Sequence, residues 1–223
     1  MDSNFPARQF LDLGHTAHGS LFPENQPVWA AIPRIGEYLQ AALASIDGER
    51  LNGEIHSGAF IGSEVYIGPE TVVEANATIK GPAWIGGNCT VRSGAYVREN
   101  VIAGDGVMMG NSSEFKNCVL FDECEASHFN YVGDSILGYK AHLGAGAVLS
   151  NVRLDRAKVR IRLPHGGHQC SGLKKFGAII GDRAEIGCNS TISPGSLVGR
   201  DCVVYPCTHW VGVLAEGQTV KCS

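Results

Sequence analysis

Three groups of residues in this chain have chemistry to offer. The first is His128, followed three places later by Tyr131, in the segment SHFNYVGD at 127–134. An imidazole titrates near pH ~6.5, so it can accept a proton under ordinary cellular conditions. The second is Lys80, Arg98 and Lys116, which recur every 18 residues. Brought to one edge without acidic partners, three cations repel one another, and a bound anion relieves them. An arginine fork beside a lysine point charge suits a phosphate. A solvated edge relieved by side-chain flexibility is the alternative. The third is the stretch from Val152 to about Gly177, with Arg153, Arg156, Lys158, Arg160, Arg162, Lys174 and Lys175 around His165-Gly166-Gly167-His168. It reads either as a solvated loop with surplus charge or as a binder of an anionic ligand.

A strict repeat must position these groups. From Ile55 an apolar residue returns every sixth place, through Ile61, Ile67, Val73, Ile79, Ile85, Val91, Val97, Ala103, Met109, Phe115 and Phe121. A small or slim residue stands four places after each, as at Ala59, Ala77, Ala83, Cys89 and Ala95, and glycine often follows directly, as at Gly62, Gly68, Gly86 and Gly104. The beat resumes at Ile180, Ile186, Ile192, Val198, Val204 and Trp210. Sixfold periodicity sustained this far predicts a parallel β-solenoid of hexapeptide rungs. Three rungs make a coil, so residues 18 apart stack at the ~4.8 Å spacing of neighbouring strands. Residues 55–126 give four such coils. Leu137, Leu143 and Leu149 keep the period but stand 22 residues and more beyond Phe115, out of phase with it. The slip is expected at 127–134, the segment that holds His128, and a broken repeat is where function is sought.

Residues 1–50 lie outside the repeat. Ile32, Ile35, Leu39, Ala42, Leu43 and Ile46 recur at helical spacing, with Pro33 suited to a first turn and Asp47-Gly48 to an end. One amphipathic helix is expected here, capping the open end of the solenoid. The expected division is a cap over 1–50 and a β-helix over 51–223, with an insertion at about 152–177. Alternation in Lys158-Val159-Arg160-Ile161-Arg162-Leu163 reads as an extended arm or hairpin.

At 223 residues the chain can bury a full core. A net charge of −4 argues against nucleic acid as the default partner. No apolar run approaches the ~20 residues of a membrane span, and the start, MDSNFPARQF, has no basic region followed by an apolar stretch, so no secretory leader is expected. Of the eight cysteines, Cys89 and Cys202 occupy small-residue slots, and Cys118 and Cys124 fall on different faces. No paired C-x-x-C motif exists, so neither disulfides nor a metal is expected, and a reduced, cytoplasmic setting fits.

The stretch GNSSEFKNCVLFDECEASHFNYVGDSILGYKAHLGAGAVLSN at 110–151 resembles the acetyltransferase domain of the bifunctional enzymes that make UDP-N-acetylglucosamine. LKKFGAIIGD at 173–182, with the basic insertion, looks more like archaeal sugar-1-phosphate nucleotidylyltransferases that carry such a domain. The resemblance covers most of 55–210 and is specific at Glu114-Phe115-Lys116, His128-x-x-Tyr131-x-Gly133-Asp134 and Gly144-Ala145-Gly146. It implies a left-handed β-helix, a homotrimer, and acetyl-CoA-dependent N-acetylation of an amino-sugar 1-phosphate such as glucosamine-1-phosphate. It implies His128 as the base, Arg98 and Lys116 on the phosphate, Tyr131 on the sugar or its phosphate, and Asn151 on the substrate. Ala145, Cys188 and Pro206 would line coenzyme A between neighbouring solenoids. No pyrophosphorylase domain or glycine-rich nucleotide loop precedes the repeat, so nucleotidyl transfer is not expected. Departures from the family at Val152 and His142 leave room for another amino sugar or a hydroxyl acceptor. Two other classes stand beside this one. A γ-type carbonic anhydrase would need zinc-binding histidines five places apart, a spacing none of the eight histidines shows. A non-catalytic solenoid could instead partner a separate nucleotidylyltransferase.

Overall fold

A computed structural model describes residues 5–221. Strands of two to four residues stack into three flat faces of nine, eight and eight strands, a parallel solenoid of about nine turns with the architecture of a left-handed β-helix. The first face opens at Glu54–Ile55, the second at Phe60–Ile61 and the third at Val65–Ile67. Strand amides donate to the coil above, as Lys80 N to the Val97 carbonyl and Arg98 N to the Phe115 carbonyl, both 2.9 Å, while corner amides such as Asn76 N donate to the coil below. The repeating apolar residues, Ile67 through Val204, fill the interior. Corners need the left-handed conformation that asparagine tolerates, and Asn76, Asn88 and Asn100 adopt it with φ of 64°, 55° and 60°. No helix of the described residues is long and apolar enough to cross a membrane.

The slip is resolved differently from the expectation. There are two contractions of one residue each: one precedes the expected segment, and the other falls at its end, at Asp134. Cys118 pairs with Val101 and Leu120 with Ala103, so the inward residue after Phe115 is Leu120, not Phe121. A second contraction falls at the next coil, where Leu137 follows Val132. Asn117 and Asp134 turn these shortened corners at φ of 47° and 49°. Phe121 moves into the corner slot that Gly104 fills one coil earlier. There it is buried and packs edge-to-face on Phe22 at 5.6 Å.

The amino-terminal segment also departs from expectation. Val28–Arg34 forms a 3-10 helix that contains Pro33, and Ile35–Ala44 the α-helix. The helix does not cap an open end. It lies on the flank of the solenoid, against Ala83–Ile85 and Val101–Ala103 of the third face. The rest of the segment runs as a strap along the same face. Arg200 Nη2 donates to the Arg8 carbonyl at 2.9 Å, Asp12 N donates to buried Asp182 at 2.7 Å, and His15 stacks on Tyr139 at 3.6 Å. Outward residues of the third face explain this placement. Tyr66, Trp84, Ile102, Val119, Ile136, Ile179, Leu197 and Val213 stand in register, apolar or aromatic throughout. Such a stripe is stabilised by a cover.

The basic insertion leaves after Asn151 and returns at Phe176, whose amide donates to the Asn151 carbonyl at 3.0 Å. Its alternating stretch forms the hairpin anticipated, Arg160–Arg162 antiparallel to His168–Cys170. Val159 and Ile161 are buried and anchor it.

Candidate functional site

Strand register brings four of the expected residues into one column. Ala126 pairs with Leu143, Leu143 with Ile186 and Ile186 with Val204. Two residues further on, at the corner between the first and second faces, His128, Ala145, Cys188 and Pro206 therefore follow one another up successive coils. Gly144 lets these coils close up, since a Cβ there would meet Cys188 N at 2.7 Å. Beside the upper part of the column runs a shallow, mostly apolar groove on the first face, lined by His142, Gly144, Ile186, Val204, Tyr205 and Pro206.

His128 is exposed, at the end of strand Glu125–His128. Its backbone is held by Asn130, a residue the sequence reading passed over. The Asn130 side chain is 2 % exposed. Its Oδ1 accepts from His128 N at 3.1 Å, and its Nδ2 donates to the Gly144 carbonyl at 2.8 Å. Asn130 thus ties the histidine's turn to the next coil. The signal was available: Ala77, Ala95, Ser113, Ala147 and Ser190 fill this slot elsewhere, and Asn130 is the one amide in the column, long enough to reach both the His128 amide and the next coil. Phe129 is the second omission. The equivalent corner residue is Asn76, Gly94, Ser112, Gly146 or Asn189 in other coils, whereas Phe129 holds a left-handed φ of 54° with 61 % of its surface exposed. A bulky residue in that conformation is strained, and it sits next to the candidate base.

The remaining candidates gather on the second face and its far corner. Asn151 Nδ2 donates to Tyr131 Oη at 3.1 Å and to the Asp134 carboxylate. Burial, with Asp134 and Glu114 adding to it, pushes the Tyr131 phenol above its ordinary value. The hydroxyl stays protonated and keeps its hydrogen for a ligand. Asn117 donates to Asp134 at 2.9 Å. Lys116 Nζ lies 3.8 Å from Asp134 and 4.0 Å from Glu99, and Arg98 lies 3.0 Å from Glu114 and 3.4 Å from Glu99. This corrects the expectation of an unpartnered cation row. Lys80, Arg98 and Lys116 do stack, but three carboxylates interleave with the upper two, and Lys80 sits over the Tyr96 ring at 4.9 Å. Glu99 and Glu114 stand one and two places from these cations, and Asp134 is the next eighteenth residue after Lys116; ending the series at Lys116 overlooked all three.

The described residues contain no group of three His, Cys, Asp or Glu side chains that converge as a metal site. The described cysteines are free thiols, with Cys89, Cys118, Cys124 and Cys202 buried.

Residues 79–163 match the family described as the GMPPB C-terminal domain. Over 95 residues the chain is 36 % identical to a bifunctional sugar-1-phosphate nucleotidylyltransferase/acetyltransferase of Sulfurisphaera tokodaii, covering 43 % of this chain and 23 % of that protein. Over 99 residues it is 33 % identical to the bifunctional protein GlmU of Methanococcus maripaludis, covering 42 % and 24 %. A putative uncharacterized acetyltransferase of Escherichia coli, YaiX, is 35 % identical over 95 residues, covering 43 % and 41 %. The match thus spans about a quarter of the length of the bifunctional relatives. Among solved structures, a perosamine N-acetyltransferase from Caulobacter crescentus, in complex with CoA and GDP-perosamine, aligns at a TM-score of 0.32 and 18 % identity, over 94 % of this chain and 79 % of that one. The resemblance read from 110–151 to sugar acetyltransferase domains agrees with these relatives.

Proposed function

We propose that this protein transfers the acetyl group of acetyl-CoA to the amine of an amino sugar that carries phosphate at its anomeric carbon, with glucosamine-1-phosphate as the simplest such acceptor. The observation that carries this reading is the column His128–Ala145–Cys188–Pro206, which sets a proton acceptor one coil below a closely packed, groove-lined corner. Acetyl-CoA supplies an activated thioester. Laid along that groove, it brings its carbonyl carbon toward His128, while Tyr131 and Asn151 on the adjoining face hold the sugar. The amine nitrogen attacks the carbonyl, its proton passes to the His128 imidazole, and the tetrahedral adduct collapses with release of the CoA thiolate, which takes the proton. Arg98 and Lys116, already paired with Glu99, Glu114 and Asp134, fix the floor beneath Tyr131 and Asn151. Exposed Phe129 closes over the reacting atoms or against a neighbouring copy. A homotrimer completes the groove, a state light scattering would read directly.

The test is thiol release from acetyl-CoA with a panel of amino sugars and their phosphates, in the wild type and in His128→Ala. Acceptor-dependent release lost in the variant supports the reading. Release that persists near the wild-type rate removes His128 as the base, and no release with any acceptor favours a non-catalytic solenoid.

A further inference from the structure

We infer that the cleft between the basic hairpin and the second face binds the diphosphate of a nucleotide-activated acceptor sugar, an inference that rests on the acetyl transfer proposed above and sharpens its acceptor. The hairpin strand alternates buried Ile161 with exposed Arg160 and Arg162. Arg162 pairs across the hairpin with His168, so two guanidiniums and an imidazole share the side that lines the cleft. Residues two apart on a strand stand about 7 Å from each other, a span that suits two linked phosphoryl groups. Among the described residues, neither Arg160 nor Arg162 forms an ion pair. The one carboxylate lining the cleft, Asp155, is occupied by Arg153, whose Nε donates to it at 2.9 Å. The positive charge on this side of the molecule that carboxylates do not neutralise therefore lies in the hairpin, not in the Arg98–Lys116 ladder.

The facing wall presents hydroxyls. Ser150, Thr191 and Ser193 line it, and Ser193 Oγ is 2.7 Å from His209 Nε2. With His209 donating, that serine keeps its own hydrogen for a phosphoryl oxygen. Val152, Leu154, Pro194 and Val211 complete the rim, and Leu154 is fully exposed. The open cleft measures about 830 Å³, room for a nucleotide and more than a single phosphate fills. Its place is the last element. Ser150 and Val152 flank Asn151, whose side chain holds the Tyr131 hydroxyl. A sugar seated on Tyr131 and Asn151 would point its anomeric phosphate into the cleft, the second phosphoryl between Arg160 and Arg162 and the nucleoside against the apolar rim.

Titration calorimetry on the full chain tests this, with uridine and guanosine diphosphate as probes and inorganic phosphate and CoA as controls. The wild type should bind a nucleoside diphosphate, phosphate far more weakly, and excess CoA should not displace the nucleotide. Arg160→Gln with Arg162→Gln should weaken binding by about ten- to a hundredfold. Arg160→Lys with Arg162→Lys should recover part of it, which separates lost charge from a collapsed hairpin. Absence of binding, equal affinity in the glutamine variant, or displacement by CoA would overturn the inference, the last by giving the cleft to the donor's phosphates. Thiol release distinguishes the two proposals. If acetylation proceeds equally well on unphosphorylated and nucleotide-linked amino sugars, the cleft assignment fails and acetyl transfer stands. If nucleotide binds through the two arginines but no acceptor yields thiol, the cleft stands and acetyl transfer fails.

Discussion

Two faces of the same prism are built from the same hexapeptide and end in opposite states. On the third face the outward row is apolar or aromatic from Tyr66 to Val213, and the amino-terminal segment covers it together with the hairpin strand Arg160–Arg162, which packs on Ser196–Val198 at the upper end. On the second face the equivalent row is Phe60, Thr78, Tyr96, Glu114, Tyr131, Val148, Thr191 and His209, and it remains open. The inward residues do not distinguish them. One outward position per rung does, and it separates a face that holds the molecule together from a face that can meet a ligand. Stability and activity should therefore respond to different substitutions.

The sharpest test of that separation is His128→Ala. Loss of a general base lowers turnover by roughly 10²–10⁴, while the melting temperature stays near wild type, because the imidazole is exposed and packs into no core. Steady-state kinetics and a thermal melt on one preparation read both. A melt shifted as much as the rate would break the comparison. On the covered face, Trp29→Ala should do the reverse. Trp29 is 3 % exposed and lies 5.8 Å from the Phe176 ring, and truncating a buried tryptophan costs about 3–5 kcal/mol. Denaturant unfolding should show the loss, with KM for acetyl-CoA unchanged in whatever remains folded.

Acid should act through the strap. His18 is buried against Tyr38 and Trp84, and burial lowers its pKa to about 4, with Asp105 pulling the other way. The folded value lies below the unfolded one, so the neutral ring contributes stability that is full above the unfolded value of ~6.5 and is lost as pH falls toward 4. The difference is on the order of 3 kcal/mol. Melts of wild type and His18→Phe between pH 7 and 4.5 isolate it: the wild type should lose stability more steeply, and parallel curves would show that His18 titrates freely. The smallest effect is the most telling. Phe129→Asn should raise stability by about 1 kcal/mol, since asparagine accepts the left-handed corner that phenylalanine strains, and lower the acetylation rate. A variant that gains stability at full rate would mean the strained aromatic serves no ligand.

How much of this was legible depended on which residue of each rung was read. Counting every sixth position revealed the solenoid and alternation at 158–163 the hairpin, whereas His128, Ala145, Cys188 and Pro206 came from the family resemblance, and only strand register gathers them into a column. The count missed the residue just before each inward one, where Tyr66, Trp84 and Ile102 already marked the face that needed a cover. The helix was therefore expected over an end, not along a flank. It also misjudged two corners, because removing a residue at Asn117 and another at Asp134 leaves the apolar pattern almost intact. Phe121 looked like a rung residue only because Leu120, beside it, is equally apolar. Carboxylates beside Arg98 and Lys116 were in plain view, but only the registered strands show that Glu114 and Asp134 reach across coils to meet them. Asn130 and Phe129 were visible as odd members of regular columns, and their roles needed backbone geometry to read.

The strap has a consequence for how the chain comes into being. A solenoid can grow coil upon coil as it is synthesised, each turn needing only the one before it. The strap cannot, because its first anchor, the Arg8 carbonyl, waits for Arg200, and Asp12 waits for Asp182. Residues made before any coil are thus among the last to find their places. Until then the third face is a greasy, unpaired flank on a nascent polypeptide, and closing it is the step that turns a row of semi-independent coils into a single cooperative body.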